Sequence, residues 1–146
     1  IMNADEVEFI LAEASAKGLI AGDANAHYKK AVTLAMQRWG VSDGDISNYL
    51  AQGSVSLSGS TQDKLATIAN QKWLALFTVA TEAYFDIRRT QLPNIFNNGL
   101  LNGRKFPLRF LYPSAESGQN RDAYDQGVQG LSPAVDDQYS KMWLLQ

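Results

Sequence analysis

The longest run of apolar residues with helical spacing lies between Thr61 and Pro93. Its first half predicts an α-helix, because apolar residues three and four positions apart share one helical face. The residues expected on that face are Leu65, Ile68, Ala69, Trp73, Leu76, Phe77 and Ala80. After a break near residues 78–81, a second helix is predicted, which ends before Pro93 because proline disfavours a helical conformation in the preceding residue.

Two more helices are predicted in the first third of the chain. Asp5 to Lys17 has acidic residues in its first turn, near the positive end of the helix dipole, and Gly18 ends it. Its apolar face is expected to contain Val7, Ile10, Leu11 and Ala14. Asp23 is a suitable N-cap for a helix that continues to Trp39 and ends at Gly40. The spacing of small and large residues in this pair resembles a tetratricopeptide helical hairpin.

The remaining segments are richer in turn-forming residues. Residues 41–60 predict a surface connection with one helical turn around Ile46 to Leu50, after which Ser60 or Thr61 caps the central helix. Beyond Pro93, turns are predicted at Asn98-Gly99 and Asn102-Gly103, and a short extended piece at Leu108 to Tyr112. We therefore expect a mainly α fold of tetratricopeptide-like helical hairpins with an irregular, loop-rich C-terminal third, forming a single domain over residues 1–146.

Composition and charge exclude several classes of protein. The chain has 146 residues, 45% of them hydrophobic, which is enough for one domain with a core. Its net charge of −2 argues against nucleic acid or an anionic membrane surface as a partner, since both favour a clustered basic surface. The absence of cysteine excludes disulfides, thiol nucleophiles and cysteine-bound zinc within these residues.

The second predicted helix carries the densest group of charges, which comprises Glu82, Asp86, Arg88 and Arg89. Helical spacing allows Arg89 to bridge Glu82 and Asp86. A two-carboxylate hydrolase would need its carboxylates across a cleft, one with a raised pKa, whereas a neighbouring guanidinium lowers carboxyl pKa values. We therefore interpret this group as structural, with Asp86 and Arg89 as a pair.

No other group of residues predicts a catalytic, metal or cofactor site. His27 is the only histidine, and we expect it to be solvated at the surface. The acidic residues of the first helix, Glu6, Glu8 and Glu13, do not share a ligand face. Asp43-Gly44-Asp45 lacks the remaining spacing of a calcium loop.

The aromatic residues could serve as core or as platforms on which a ligand ring stacks. Trp73 and Tyr84 lie on apolar helical faces, so we expect them in the core. Trp39 closes a helix and Trp143 lies in the irregular tail, and packing is favoured over ligand binding for both. No ligand-binding residue is predicted, and the ligand-contacting positions stay unknown.

Several ordered motifs resemble the SusD/RagB family of surface glycan-binding lipoproteins of Bacteroidota. The first is Asp5-Glu6-Val7 followed by Leu11 to Ala14, and the second is Gln71-Lys72-Trp73 followed by Glu82 to Pro93. Further matches are Phe106 to Pro113, Asn120 to Tyr124, and Gly130 to Trp143, where Met142 replaces a tryptophan. One departure is at residues 78–81, where relatives usually have glycine and where we expect a helical kink instead of a tight turn.

The resemblance implies a function without catalysis and without a cofactor. It implies capture of an oligosaccharide at the bacterial surface and delivery to a TonB-dependent SusC-like transporter for nutrient uptake. Family members begin with a lipidated cysteine and are several hundred residues long, so we expect an outer-membrane location and an N-terminal remainder of the same protein, which would cover Leu74 and Ala75. The resemblance implies that the glycan cleft lies largely outside these residues, and it does not specify the glycan. A helical-repeat scaffold that binds peptides is the alternative, and a glycosidase comes third.

Overall fold

Five helices form the N-terminal unit, Ile1–Pro93, in the computed structural model, which describes residues 2–94 and 105–146. They are α1 (Ala4–Ala16), α2 (Ala24–Arg38), α3 (Asp43–Leu50), α4 (Thr61–Ala75) and α5 (Ala80–Thr90). The described part of the second unit, Asn94–Gln146, contains α6 (Glu116–Gln119), α7 (Arg121–Gln129) and a 3₁₀ turn at Trp143–Leu145. The mainly α fold is confirmed, and the single domain over residues 1–146 stays a prediction.

Local capping groups set the helix ends where the sequence predicts them. The Asp23 carboxylate accepts a hydrogen bond from the Asn25 backbone N–H at 2.9 Å, which begins α2. Ser60 and Asp63 form a reciprocal capping box at the start of α4. Gly18 and Gly40 follow α1 and α2 with φ values of 70° and 76°, a left-handed conformation that favours glycine.

The core of the first unit lies between the antiparallel helices α1 and α2, with contributions from α4. Phe9 packs edge-on against Tyr28, with ring centroids 6.4 Å apart. The predicted apolar face of α1 is wrong, because Phe9 and Ala12 are the residues that face this core. Two members of the predicted face, Val7 and Ile10, are exposed.

The predicted apolar face of α4 is correct as far as the C-cap residue, Leu76. Ile68 is buried, and so is Leu76, which caps the helix C-terminus. Phe77 is 83% exposed, because it follows the end of the helix and no longer has helical spacing. Residues 76–79 form a turn without positive φ and not the expected kink, since Val79 has φ −123° immediately before α5.

Residues 41–60 are more ordered and more buried than the sequence predicts. Ser42 caps α3, an eight-residue helix instead of a single turn. Val55 is buried in the core, and its carbonyl accepts a hydrogen bond from the Tyr28 hydroxyl at 2.6 Å. This segment therefore forms one wall of the core and is not merely a surface connection.

The described part of the second unit has two short helices that the sequence analysis missed, α6 and α7. The sequence of α7 is polar apart from Ala123, Tyr124 and Val128 and contains Gly127, and none of its residues is buried. The expected extended piece, Leu108 to Tyr112, is neither helix nor strand, although the Leu108 N–H donates to the Gln138 carbonyl at 2.7 Å. The turns expected at Asn98-Gly99 and Asn102-Gly103 lie outside the described residues.

Candidate functional site

A cluster of charged side chains joins α1, α4 and α5, and Arg89 lies at its centre. Two guanidinium nitrogens of Arg89 donate to the two carboxylate oxygens of Glu13, each at 2.7 Å. One of them also donates to Asp86 at 2.8 Å. The planar guanidinium matches the two oxygens of one carboxylate, so Arg89 links α5 to α1 and also to its own helix.

Two lysines complete this cluster. The ammonium group of Lys72, on α4, lies 2.9 Å from Asp86, and its side chain is only 7% exposed. Lys17 lies 2.6 Å from Glu13. The predicted pair of Asp86 and Arg89 is therefore present, but the second carboxylate that Arg89 bridges is Glu13 and not Glu82.

The electrostatics of this cluster suit a structural role. Hydrogen bonds from Arg89, acting against burial, lower the pKa of Glu13 to about 2. A carboxyl group with so low a pKa is ionised at neutral pH and cannot act as the general acid that glycoside hydrolysis requires. Local spacing identified Asp86 and Arg89, whereas nothing in the sequence places Glu13 beside a residue 76 positions away.

Arg88 makes a different kind of contact. Its guanidinium lies 5.3 Å from the centre of the Tyr84 ring and 5.6 Å from that of Phe85, within the range of cation–π interactions. Tyr84 is half-buried, as is Trp73, so both are less enclosed than the core positions we expected for them.

His27 is paired, which corrects the prediction of a solvated surface histidine. Its Nδ1 lies 2.7 Å from the Glu8 carboxylate, which also accepts a hydrogen bond from Lys30, 2.6 Å away. Hydrogen bonds from Lys30 and His27 hold the pKa of Glu8 below its usual range. Among the described residues, no group of three or more histidine, aspartate or glutamate side chains could hold a metal ion.

An apolar cleft of about 240 Å³ lies between the C-terminal end of α2 and the helices α3 and α4. Phe9, Val32 and Ala75 form part of its wall, and Trp39 contributes an exposed ring. Packing was expected for Trp39 and Trp143, but both rings are mostly exposed. Trp39 therefore remains available for contact with a ligand or a partner.

The motif residues of the second unit converge on the Asp136 carboxylate. It accepts hydrogen bonds from the Arg109 guanidinium at 2.6 Å, the Tyr112 N–H at 3.2 Å and the Tyr124 hydroxyl at 3.3 Å. Burial opposes ionisation, but these hydrogen bonds hold the pKa of Asp136 below its usual range. The side chains of Arg109, Tyr112 and Tyr124 thus help to fix the irregular backbone, and Asp136 is the residue that the sequence analysis missed.

The described residues are thus mainly α-helical, and their clusters of charged side chains form structural ion pairs. The chain belongs to the SusD-like family, because the model of a SusD-like family described as starch-binding and associating with the outer membrane matches residues 1–113. Comparison with curated proteins found no match. None of the described helices is both long and apolar enough to cross a membrane.

Solved structures agree with this assignment. A SusD homologue from Bacteroides fragilis is 32% identical, with a TM-score of 0.81 over 99% of this chain and 35% of its own. A SusD-like protein from Bacteroidetes is 26% identical, with a TM-score of 0.86 over 99% of this chain and 30% of its own. A chitin-binding protein is 28% identical, with a TM-score of 0.75 over 99% of this chain and 33% of its own. The chain spans about a third of the length of these relatives.

Proposed function

We propose that this chain is the C-terminal part of a SusD-like protein that captures oligosaccharides at the bacterial cell surface and does not cleave them. The observation that carries this proposal is the family match over residues 1–113, with its description as starch-binding and associating with the outer membrane. The similarity to a solved chitin-binding protein supports a glycan as the ligand. The paired carboxylate Glu13 supports a role without hydrolysis.

The proposal also covers the location of the longer protein and the transporter that receives its glycan. The longer protein is anchored by lipid on the outer surface of the outer membrane and passes its glycan to a TonB-dependent SusC-like transporter. The family's association with the outer membrane supports this location. A gene for such a transporter next to the gene for this protein, together with co-purification of the two proteins from solubilised outer membranes, is the expected result.

Depletion experiments test glycan capture by the longer protein that contains this chain. The protein is mixed with insoluble starch or chitin, and the amount left in solution is measured after sedimentation. We expect saturable depletion by at least one of these polysaccharides and competition by its soluble oligosaccharides. If the protein binds neither starch nor chitin, and a direct titration shows no binding of inulin, mucin oligosaccharides or host N-glycan, the proposal is contradicted.

Variants at the exposed tryptophans test how much of the glycan site lies in this chain. Trp39 and Trp143 are exposed rings on which a sugar could stack. Because we expect the glycan cleft to lie largely outside this region, Trp39→Ala and Trp143→Ala should leave glycan affinity unchanged. A marked loss in either variant would assign part of the site to this chain.

A peptide-binding scaffold is the second candidate function. The apolar cleft beside Trp39 favours it, because an apolar groove on a helical repeat suits the side chains of a peptide. Absence of a neighbouring transporter gene, combined with absence of glycan binding, would support this alternative.

A further inference from the structure

The apolar cleft beside Trp39 reaches from the surface into the core of the first unit. Its lining includes Phe9, Val32 and Ala35, which belong to the core and are each at most 7% exposed. Trp39 and Leu74 also line it and are about half exposed, so the cleft is open to solvent. Because water makes few hydrogen bonds in such an apolar space, an apolar group from solution should displace it.

The size and the lining of the cleft suit one substituted aromatic ring. Its volume is about 240 Å³, whereas an apolar cavity of about 150 Å³ is large enough to bind benzene. The exposed Trp39 ring offers a face on which a flat ring can stack. Met36 also lines the cleft, and a methionine thioether makes favourable contacts with aromatic rings. These features favour an aromatic ring over a flexible aliphatic chain.

One largely buried amide gives the cleft a hydrogen-bond donor. Gln71 lines the cleft and is 7% exposed. Its side-chain oxygen accepts a hydrogen bond from the Tyr49 hydroxyl at 2.9 Å, and its amide nitrogen makes no hydrogen bond within the described residues. That nitrogen can therefore donate to an acceptor on a ligand. None of the described side chains that line the cleft is charged, so a charged ligand would lose its hydration without compensation.

We propose that this cleft binds a neutral aromatic ring that carries a hydrogen-bond acceptor, as in an aryl ester or an aryl ether. The ring packs against Trp39 and the apolar wall, and its acceptor oxygen receives a hydrogen bond from the Gln71 amide. The ring is either a free small molecule or a substituent on a glycan. Starch and chitin contain no aryl group, so failure of this inference would leave the proposed function intact.

Saturation-transfer NMR and calorimetry test the proposal on the longer SusD-like protein and on the 146-residue chain. The first probe is methyl benzoate, a neutral ring with an ester group. Toluene lacks the acceptor, benzoate carries a charge, and methyl cyclohexanecarboxylate lacks the aromatic ring. Phenyl glucoside and methyl glucoside compare a ring carried on a sugar with the sugar alone. N-acetylphenylalanine amide presents an aromatic ring on a peptide unit.

We expect methyl benzoate to bind about three- to tenfold more tightly than toluene, because a single hydrogen bond makes a modest net contribution. Methyl cyclohexanecarboxylate should bind more weakly than methyl benzoate, and benzoate should show no measurable binding. Binding of phenyl glucoside without binding of methyl glucoside would show that the cleft accepts a ring carried on a sugar. Exclusion of phenyl glucoside would restrict the site to free aryl molecules.

Four variants locate the binding in this cleft. Ala35→Leu places a larger side chain in the cleft and should abolish binding of methyl benzoate. Ala26→Leu makes the same change at an exposed position of the same helix and should leave binding unchanged. Gln71→Met keeps the approximate size of the side chain and should reduce the affinity for methyl benzoate to that for toluene. Trp39→Ala should weaken binding of methyl benzoate about two- to tenfold and leave glycan affinity unchanged.

Circular dichroism melts establish that each variant is folded, and Trp39→Ala and Gln71→Met carry the test if Ala35→Leu does not fold. Absence of methyl benzoate binding, equal affinity for benzoate, or binding unaffected by these variants would overturn the proposal. Binding by the 146-residue chain that is lost in the longer protein would identify the cleft as an internal packing surface and would also overturn it. If N-acetylphenylalanine amide binds about tenfold more tightly than methyl benzoate, the cleft is instead a site for a peptide.

Discussion

Glu13 on α1 and Arg89 on α5 form a two-point ion pair, with both nitrogen–oxygen distances at 2.7 Å. The pair joins residues 76 positions apart and connects the first and last helices of the N-terminal unit. Glu13 is largely buried, whereas the Arg89 side chain is 47% exposed. Its contribution to stability should therefore lie between that of a surface pair and that of a fully buried one.

A double-mutant cycle measures this contribution. For Glu13→Ala, Arg89→Ala and the double variant, we expect a coupling free energy of about 1–3 kcal/mol, typical of hydrogen bonds to charged groups. The equivalent cycle for Asp86 and Arg89 should give about 0–1 kcal/mol, because Asp86 keeps its contact with Lys72. Thermal and urea unfolding supply the free energies. A coupling free energy near zero in both cycles would show that these ion pairs do not stabilise the fold.

The low pKa of Glu13 predicts how stability depends on pH. Because Arg89 lowers the pKa of Glu13 from 4.5 to about 2, this group stabilises the fold fully above pH 4.5. The stabilisation is lost as the pH falls from 4.5 towards 2. The Glu13→Gln side chain cannot ionise, so this variant lacks the stabilisation at any pH. As the pH falls from 4.5 towards 2, the difference in free energy of unfolding between the unaltered chain and the variant should therefore shrink. Urea unfolding at constant ionic strength checks this, and a difference independent of pH would contradict it.

Features that depend on neighbours in sequence were predictable, and those that depend on distant contacts were not. Asp23 and Gly40 mark helix ends through their own capping geometry, and Asp86 and Arg89 pair within one helix turn. Val55 is buried, and its carbonyl accepts a hydrogen bond from a residue 27 positions away, a contact that local sequence does not predict. For the same reason, periodicity identified the apolar residues of α1 but could not tell which side faces α2.

The Tyr28 hydroxyl should hold the segment after α3 in place. Tyr28→Phe removes the bond to the buried Val55 carbonyl and should lower the free energy of unfolding by about 1–3 kcal/mol. Hydrogen exchange at residues 51–57 should also become faster. Tyr139→Phe is the matched control, because Tyr139 is exposed and its hydroxyl forms no hydrogen bond within the described residues. Equal effects of the two substitutions would show that the bond does not matter.

Gly127 allows the Tyr112 ring to lie against α7. A Cβ atom at position 127 would lie 2.8 Å from the Tyr112 hydroxyl oxygen and 3.1 Å from the ring carbon that bears it. Gly127→Ala must therefore displace the Tyr112 ring, which packs edge-on against Tyr124 with ring centroids 5.8 Å apart. We expect a net loss of about 1–2 kcal/mol, because crowding outweighs the better helix propensity of alanine.

The control for this substitution is Gly118→Ala in α6, where a Cβ atom would meet nothing within 4 Å. It should be neutral or slightly stabilising, since alanine restricts the unfolded chain more than glycine does. Urea unfolding followed by tyrosine fluorescence and near-ultraviolet circular dichroism compares the two variants. A Gly127→Ala variant as stable as Gly118→Ala would show that Tyr112 moves without cost.

Glycan capture without hydrolysis is tested most directly by calorimetry of the longer SusD-like protein beside this 146-residue chain. The ligands are oligosaccharides of starch, chitin, inulin, mucin and host N-glycan, and reducing sugar is assayed in the same samples. We expect saturable binding of at least one ligand by the longer protein, much weaker binding by the chain alone, and no release of reducing sugar. Equal affinity in the two proteins, or cleavage of any ligand, would contradict this expectation.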